Sequence, residues 1–211
     1  MYYWDRYYKK ERLISNSSSF AKYLIKKKIL KKNSKILELG CGNGRDSFYF
    51  SYYAKAILAI DKSGQIIKKN NIKLKKKKIK NLQFKQMDLA KKNLQLKIKD
   101  FNVVYARFFF HAINVQTENN ILKNIIKKMI KNSLFILEFR TVLDNMFNKG
   151  KKISKFENFT NHYRRYIEVQ NFKKKFIKKS FKLLYLKQGK NLSIYKKDNP
   201  HLCRIILKKY E

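Results

Sequence analysis

The chain has few of the residues that interrupt a fold or staple it. Its 211 residues include one proline, six glycines and two cysteines. The lone proline is Pro200, and there is no Gly/Ser/Pro-rich run to serve as a linker. A single domain over residues 1–211 is therefore expected, since roughly 100–200 residues per domain is usual. Cys41 and Cys203 lie far apart, whereas a disulfide framework or a cysteine metal site needs more ligands at closer spacing. No metal is expected, and both thiols are read as reduced. No apolar run approaches the ~18 residues that cross a bilayer, so no membrane span is expected. The opening Met1-Tyr2-Tyr3-Trp4-Asp5-Arg6 lacks the basic-then-apolar pattern of a secretory signal, so the expected location is cytoplasmic.

Acidic residues are scarce too. Asp and Glu total 14 against 52 Lys and Arg, a formal net charge of +38. Such a charge suggests a nucleic-acid partner. The excess, however, is almost all lysine, 44 Lys against 8 Arg. Lys, Asn, Ile, Phe and Tyr are abundant together and share A/T-rich codons, so genome composition accounts for much of the charge. A surface built for phosphate usually also recruits arginine, whose planar fork matches it. Nucleic acid thus ranks below a small molecule as partner, although the field still draws anions in at low salt.

What is present reads as alternating helices and strands. Asn16–Ser19 offers caps, and Phe20, Leu24, Ile25 and Ile29 repeat at helical spacing, predicting a helix to about Lys32. A strand over Lys35–Leu39 runs into Gly40, and Arg45–Tyr53 reads as a helix. Ala56–Ile60 is a strand ending at Asp61, Gly64–Lys76 is helical, and Asn81–Gln86 alternates and leads to Asp88. Phe101–Ala106 is a strand, Glu118–Lys131 a helix and Leu134–Phe139 a strand that reaches Arg140. An irregular stretch over 141–159 is expected next, then a basic helix over Asn161–Lys179. Two β-like runs close the chain, Phe181–Gln188 and Leu202–Lys208. Alternation of this kind implies a parallel sheet with helices on both faces. Closely spaced strands pair antiparallel more easily. The expected fold is therefore α/β: a seven-stranded sheet of five parallel strands plus a C-terminal antiparallel pair.

In such sheets ligands bind beyond the carboxyl ends of the strands, and four signals fall there. Glu38-Leu39-Gly40-Cys41-Gly42-Asn43-Gly44 ends the first strand, with glycines that let backbone approach a ligand. The spacing is G-x-G-x-G, and Arg45 stands where a dinucleotide loop wants Gly or Ala. Asp61 ends the second strand, close to the ~20-residue offset of an acid that binds a ribose diol. Asp88 follows the third strand, where a carboxylate can accept from an adenine amine. The fourth strand, Phe101–Ala106, should lead to the reacting centre.

These residues resemble the class I S-adenosylmethionine-dependent methyltransferases, a Rossmann-like family. The motifs run from about Lys35 to Arg140, and the tail agrees with that family's final strand pair. The resemblance implies S-adenosylmethionine as cofactor. Gly40, Gly42 and Gly44 would pass beside its methionine part, Asp61 would bind ribose and Asp88 adenine. Glu38 would orient the loop, with Arg45, Lys62 and Leu89 as neighbours.

Methyl transfer from a sulfonium is an in-line displacement, so the protein chiefly positions the reactants and, for a hydroxyl acceptor, removes a proton. In Arg107-Phe108-Phe109-Phe110-His111, His111 is the candidate general base, or else a packed or capping histidine. Arg107 is placed on the cofactor carboxylate or the acceptor. Arg140, His162, Tyr163, Arg164 and Arg165 are candidates for holding the acceptor. Arginine in a lysine-rich chain is less readily blamed on codon bias, and arginines clamp carboxylate or phosphate bidentately. Structural pairs with Glu138 or Glu168 are the competing reading. A small anionic acceptor is expected, most simply methylated on oxygen. The whole pattern is similar to a bacterial subgroup associated with surface-glycan and small-metabolite tailoring. The aromatic start, Tyr2-Tyr3-Trp4 with Tyr7-Tyr8, is either a lid or sheet packing. An RNA methyltransferase is the main rival, weakened by Tyr105-Ala106-Arg107-Phe108 where an Asn/Asp-Pro-Pro-aromatic segment would stand. A cofactor-binding protein without turnover is the other.

Overall fold

A computed structural model describes residues 3–10, 16–91, 96–177 and 180–211. Tyr2 of the aromatic start, and Lys178 and Lys179 of the expected basic helix, lie outside the described residues. The elements in chain order are α1 (Tyr3–Lys10), α2 (Ser19–Lys26), β1 (Lys35–Leu39), α3 (Arg45–Phe50), β2 (Ala56–Asp61), α4 (Gly64–Lys77), β3 (Leu82–Gln86) and β4 (Val103–Arg107). They continue with α5 (Val115–Lys128), β5 (Leu134–Arg140), β6 (Lys151–Ser154), β7 (Glu157–Phe159), β8 (Tyr163–Arg165), α6 (Val169–Ile177), β9 (Phe181–Gly189) and β10 (Leu202–Lys209). Seven strands form one mostly parallel sheet in the order β3-β2-β1-β4-β5-β10-β9, and β10 runs antiparallel to both its neighbours. This is the Rossmann-like sheet expected from the sequence. Among the described residues no helix is long and apolar enough to cross a membrane. Packing divides the chain into two compact units, 1–105 and 106–211.

In the first unit β1 pairs in parallel with β2 on one side and β4 on the other. Strand order therefore reverses at β1, which makes the ends of β1 and β4 the switch point where ligands bind in such sheets. Four consecutive residues of β1 are buried, as expected of a parallel strand covered on both faces. α2 starts at Ser18, whose Oγ accepts the Ala21 N–H at 3.0 Å. It stops at Lys26, before the expected Lys32, because Lys28 turns left-handed (φ 54). Beyond that turn Leu30, one residue past the expected repeat, reaches the core.

One carboxylate ties this unit together, and the sequence reading overlooked it. Asp46 Oδ1 accepts the Ser18 N–H at 2.7 Å, while Oδ2 accepts the Ser18 hydroxyl at 2.7 Å and the Tyr105 hydroxyl at 2.8 Å. It thereby joins the α2 cap, α3 and β4.

In the second unit β5 is buried along almost its whole length and pairs with β10 from Arg140↔Leu202 to Leu134↔Lys208. Phe110, Phe135, Phe139, Phe172, Phe176 and Phe181 meet largely edge-to-face in its core. α5 begins at Val115, earlier than expected, because the Asn114 side chain accepts the Thr117 N–H at 2.8 Å.

The stretch expected to be irregular and then helical is corrected. Residues 151–165 form a three-stranded antiparallel sheet in the order β6-β7-β8. His162-Tyr163-Arg164-Arg165 therefore belongs to a strand and its flank, not to the start of a basic helix. Tyr163, Arg164 and Arg165 pair with Phe159, Asn158 and Glu157 of β7, and the apolar helical stripe begins only at Val169, Phe172 and Phe176.

Asp46→Ala should remove three hydrogen bonds to a buried charge. A loss of about 3 kcal/mol or more is expected, read as a lower midpoint in urea unfolding.

Candidate functional site

The glycine loop sits at the switch point of the first unit. Gly40, Gly42 and Gly44 all take positive φ (67, 52 and 68). Gly44 is constrained twice, because a Cβ there would come within 2.6 Å of the Phe84 ring on β3. Gly44 thus provides the close helix–strand approach, which explains why Arg45 can follow it. Cys41 N–H donates to the Ile60 carbonyl at 3.0 Å, which carries the β1–β2 pairing into the loop.

Asp61 reaches the loop from β2. Its Oδ2 accepts the Gly42 N–H at 2.9 Å and its Oδ1 the Ser63 N–H at 3.0 Å. Burial raises its pKa above the usual carboxylate range, against the lowering effect of those backbone donors and of Lys62. Asn70 on α4 holds the Gly42 carbonyl at 2.8 Å. Glu38 is buried and accepts the Ser47 hydroxyl at 2.5 Å, which links β1 to α3 below the loop. Met87 N–H donates to the Asp61 carbonyl at 2.9 Å, so Asp88 follows directly on the β2–β3 pairing. Asp88 is half-buried, and its Oδ1 accepts the Ala90 N–H at 3.0 Å. Leu89 is buried beside it, Arg45 is half-buried at the start of α3, and Lys62 is exposed.

The structure adds α1 to this group. A Cβ on Gly42 would lie 2.8 Å from the Tyr8 hydroxyl. Asp5 accepts the Ser63 hydroxyl at 2.5 Å, and the Tyr8 carbonyl accepts from Lys69. Tyr3 stacks on Tyr7 and Trp4 on Tyr8, and the two pairs meet edge-to-face. Burial, then the charges of Asp61 and Cys41, push the Tyr8 phenol well above its ordinary value. The sequence signal was the spacing of Tyr3 with Tyr7 and Trp4 with Tyr8, which shares one helical face.

In the second unit, Glu138 lies between two arginines. Arg107 Nε stands 2.7 Å from its Oε1 and Arg204 Nε 2.5 Å from its Oε2. The first contact is an ion pair without hydrogen-bond alignment. Arg107 also donates to the Ser193 hydroxyl at 2.9 Å and lies over the Phe108 ring. Phe108 itself has φ 57, a conformation that bulky residues avoid. That strain follows directly on β4 and orients the turn carrying His111.

His111 is 7% exposed, and its Nδ1 accepts the Arg140 backbone N–H at 3.2 Å. Burial lowers its pKa well below the usual value, and Arg140, Arg164, His162 and Arg107 push it in the same direction. His162 is lowered to about 3 by burial, Arg164 and Arg140.

The proposed acceptor residues divide into two sets. Arg140 binds Asp144 at 3.0 Å and also Asp198. Arg165 binds Glu118 and donates to the Ile113 and Phe110 carbonyls at 3.0 and 3.1 Å. Tyr163 donates to Glu157 at 2.6 Å. These three engage internal partners, though not the Glu138 or Glu168 that the sequence suggested. His162 and Arg164 occupy the alternate positions, where Arg164 donates to the Thr160 hydroxyl at 2.8 Å.

The model of a family described as a methyltransferase domain matches residues 30–195. The chain belongs to that family. Its expected cofactor is S-adenosylmethionine. The 235L protein of invertebrate iridescent virus 6, whose name describes a methyltransferase, is 27% identical over 163 residues. The match covers 71% of this chain and spans only 57% of that protein. Among solved structures, an S-adenosylmethionine-dependent methyltransferase of Methanosarcina mazei shares the fold with a TM-score of 0.74 at 14% identity, covering 88% of this chain and 97% of its own. The PH0226 protein of Pyrococcus horikoshii does so at 0.72 and 18%, covering 97% and 98%. The [4+2]-cyclase SpnF follows at 0.70 and 9%, covering 94% and 85%. Likeness at such identities establishes the fold, and the cyclase shows that one fold carries more than one reaction.

Gly44→Ala should cost about 2 kcal/mol or more, from the left-handed conformation plus the Phe84 contact, measured by urea unfolding. His111 is neutral when folded and protonates near its ordinary value when unfolded. Its contribution is therefore complete above about pH 6.5 and is lost as pH falls below it. Stability should drop by up to about 1.4 kcal/mol per pH unit in that range, and His111→Gln should flatten the slope.

Proposed function

We propose that this chain transfers the methyl group of S-adenosylmethionine to an oxygen of a small anionic acceptor, such as a carboxylated or phosphorylated metabolite or a glycan precursor. The observation that carries the reading is Asp61 held on the Gly42 N–H at a sheet switch point. The carboxylate there suits a ribose diol, and the glycine backbone beside it leaves room for the methionine part. Asp88, one strand further out, suits the adenine amine. The cofactor supplies an electrophilic methyl group on a sulfonium. The chain's own residues bind it, orient it and exclude water.

α1 is read as the lid over this cradle. Its phenol at Tyr8 lies against Gly42, and its anchors at Ser63 and Lys69 belong to the cap and body of α4. The acceptor is assigned to the second unit, where cationic groups collect around His111.

Calorimetric titration with S-adenosylhomocysteine should give saturable binding. Asp61→Ala should weaken it by at least about tenfold, the factor for roughly 1.4 kcal/mol. Tyr8→Phe should weaken it less and speed its release. An Asp61→Ala protein that is folded and binds normally would sink the assignment. Incubation with S-adenosylmethionine and carboxylated or phosphorylated metabolites should give a methylated product by mass spectrometry. Methylation of RNA alone, with affinity falling steeply in salt, would favour the polynucleotide reading instead.

A further inference from the structure

In the first unit, the end of the sheet opposite the glycine loop carries tyrosines and lysines together. β2 and β3 are parallel, with Ile57 beside Leu82, so the residues just before them share one end. Those residues are 51–55, after α3, and 78–81, after α4. One side chain clasps the two segments. Asn81 donates to the Ser51 and Ala54 carbonyls, each at 2.9 Å. A second contact joins the helices themselves. Lys73 Nζ on α4 stands over the Phe48 ring on α3, 4.6 Å from its centre. Four residues further along the chain from each come Lys77 and Tyr52, one helical turn on.

Tyr52 is 70% exposed and Tyr53 39%. The Tyr53 ring lies 5.2 Å from that of Tyr49. Six of the eight residues 73–80 are lysines, and Lys75, Lys76, Lys77, Lys78 and Lys80 are exposed. Burial, then the charge of Lys77, holds the Lys73 ammonium below the ordinary lysine value. The acids of residues 45–88 are Asp46, Asp61 and Asp88. They bond Ser18 and Tyr105, the glycine loop, and Ala90. Lysines in a last helical turn complement its dipole, but that role does not call for rings in water. Codon bias sets how many lysines and tyrosines the chain has, and not that they meet.

Exposed rings beside solvated ammoniums suit a strand that offers both base faces and phosphates. Bases stack on aromatic platforms while cations track the backbone. Lysine meets phosphate as a point charge, so the lack of arginine here limits sequence selectivity more than attraction. The phenol hydroxyls add groups that can bond a ribose 2′-hydroxyl. A membrane surface would instead ask for a broad apolar face, which two tyrosines do not supply.

We propose that Tyr52, Tyr53 and the lysines ending α4 form a docking surface for single-stranded RNA. Bases stack on the tyrosine rings, and Lys77 and Lys80 follow the phosphates. This goes beyond the methyltransferase reading and does not depend on it. The cradle lies at the other end of the same strands. β2 has six residues, which at ~3.3 Å each separate the two places by roughly 20 Å. RNA docked here leaves the cradle open.

Fluorescence anisotropy with a labelled RNA of about six CA repeats, titrated with the full chain, tests this. Affinity should fall steeply with salt. Tyr52→Ala should weaken it about fivefold or more, whereas Tyr52→Phe, which keeps the ring, should stay within about twofold. Lys77→Ala with Lys80→Ala should lower the slope of log affinity against log salt by about 1.4. The same changes at Lys151 and Lys152, exposed in the second unit, should leave that slope unchanged. DNA of the same sequence should bind more weakly, and saturating S-adenosylhomocysteine should not displace the RNA. Equal losses from the two lysine pairs would show attraction by the whole cationic chain and overturn the proposal. So would a Tyr52→Ala protein that binds RNA normally, DNA binding as tightly as RNA, or displacement by S-adenosylhomocysteine. Capture by phosphatidylserine vesicles in place of RNA, abolished by Tyr52→Ala, would overturn it in favour of a membrane surface. Asp61→Ala should bind RNA as the wild type does, so loss of cofactor binding alone faults only the methyltransferase reading.

Discussion

Buried carboxylates hold this cationic chain together. With 14 acidic residues against 52 basic ones, self-repulsion opposes compaction. The acids that the fold buries are Glu38, Asp46, Glu118, Glu138 and Asp144. Glu118 and Glu138 each receive two basic side chains, and Asp144 receives Arg140. Removing one member of such a pair leaves a buried charge unmatched, typically at a cost of about 3–5 kcal/mol. Charge compensation is therefore internal, and the surface keeps its lysines.

That constraint explains where arginine occurs. Arg107, Arg140, Arg165 and Arg204 all pair with protein carboxylates, with their side chains at most 10% exposed. A guanidinium is more weakly hydrated than an ammonium and presents a rigid fork, so it suits a buried pair better than lysine does. Arginine at these four positions thus answers a structural demand, whatever the codon bias of the lysines. The inference that the choice serves an acceptor holds less well, because a buried carboxylate makes the same demand as a bound one.

The parts of the fold that rest on periodicity were legible. β1 to β5, α4 and the closing strands follow from apolar runs and helical repeats, and Asp61 follows from its distance to the glycine loop. What escaped was set by contacts distant in sequence. Nothing local marks Asp46 as the partner of both Ser18 and Tyr105, or Tyr8 as the residue that meets Gly42. The helix ends moved because single residues, Lys28 and Asn114, decide them. The three-stranded sheet at 151–165 was missed because its strands are only three or four residues long, too short for alternation to stand out.

That last error bears on chemistry. Read as a helix, His162, Arg165 and Tyr166 would share a face, and Arg164 would stand apart. On a strand the period is two, so Tyr163 and Arg165 turn one way, toward Glu157 and Glu118. His162, Arg164 and Tyr166 fall to the other side, with Arg164 acting on Tyr166 and His162. Two adjacent arginines thus have different fates. Arg165 locks the turn after β4 by holding the Phe110 and Ile113 carbonyls on either side of His111. Arg164 adds its charge to the surroundings of the same imidazole. The orientation of His111 is consequently fixed from both neighbours, β5 through Arg140 and β8 through Arg165. A ring fixed in that way keeps one tautomer, and the tautomer decides whether the site takes a proton or gives a hydrogen bond.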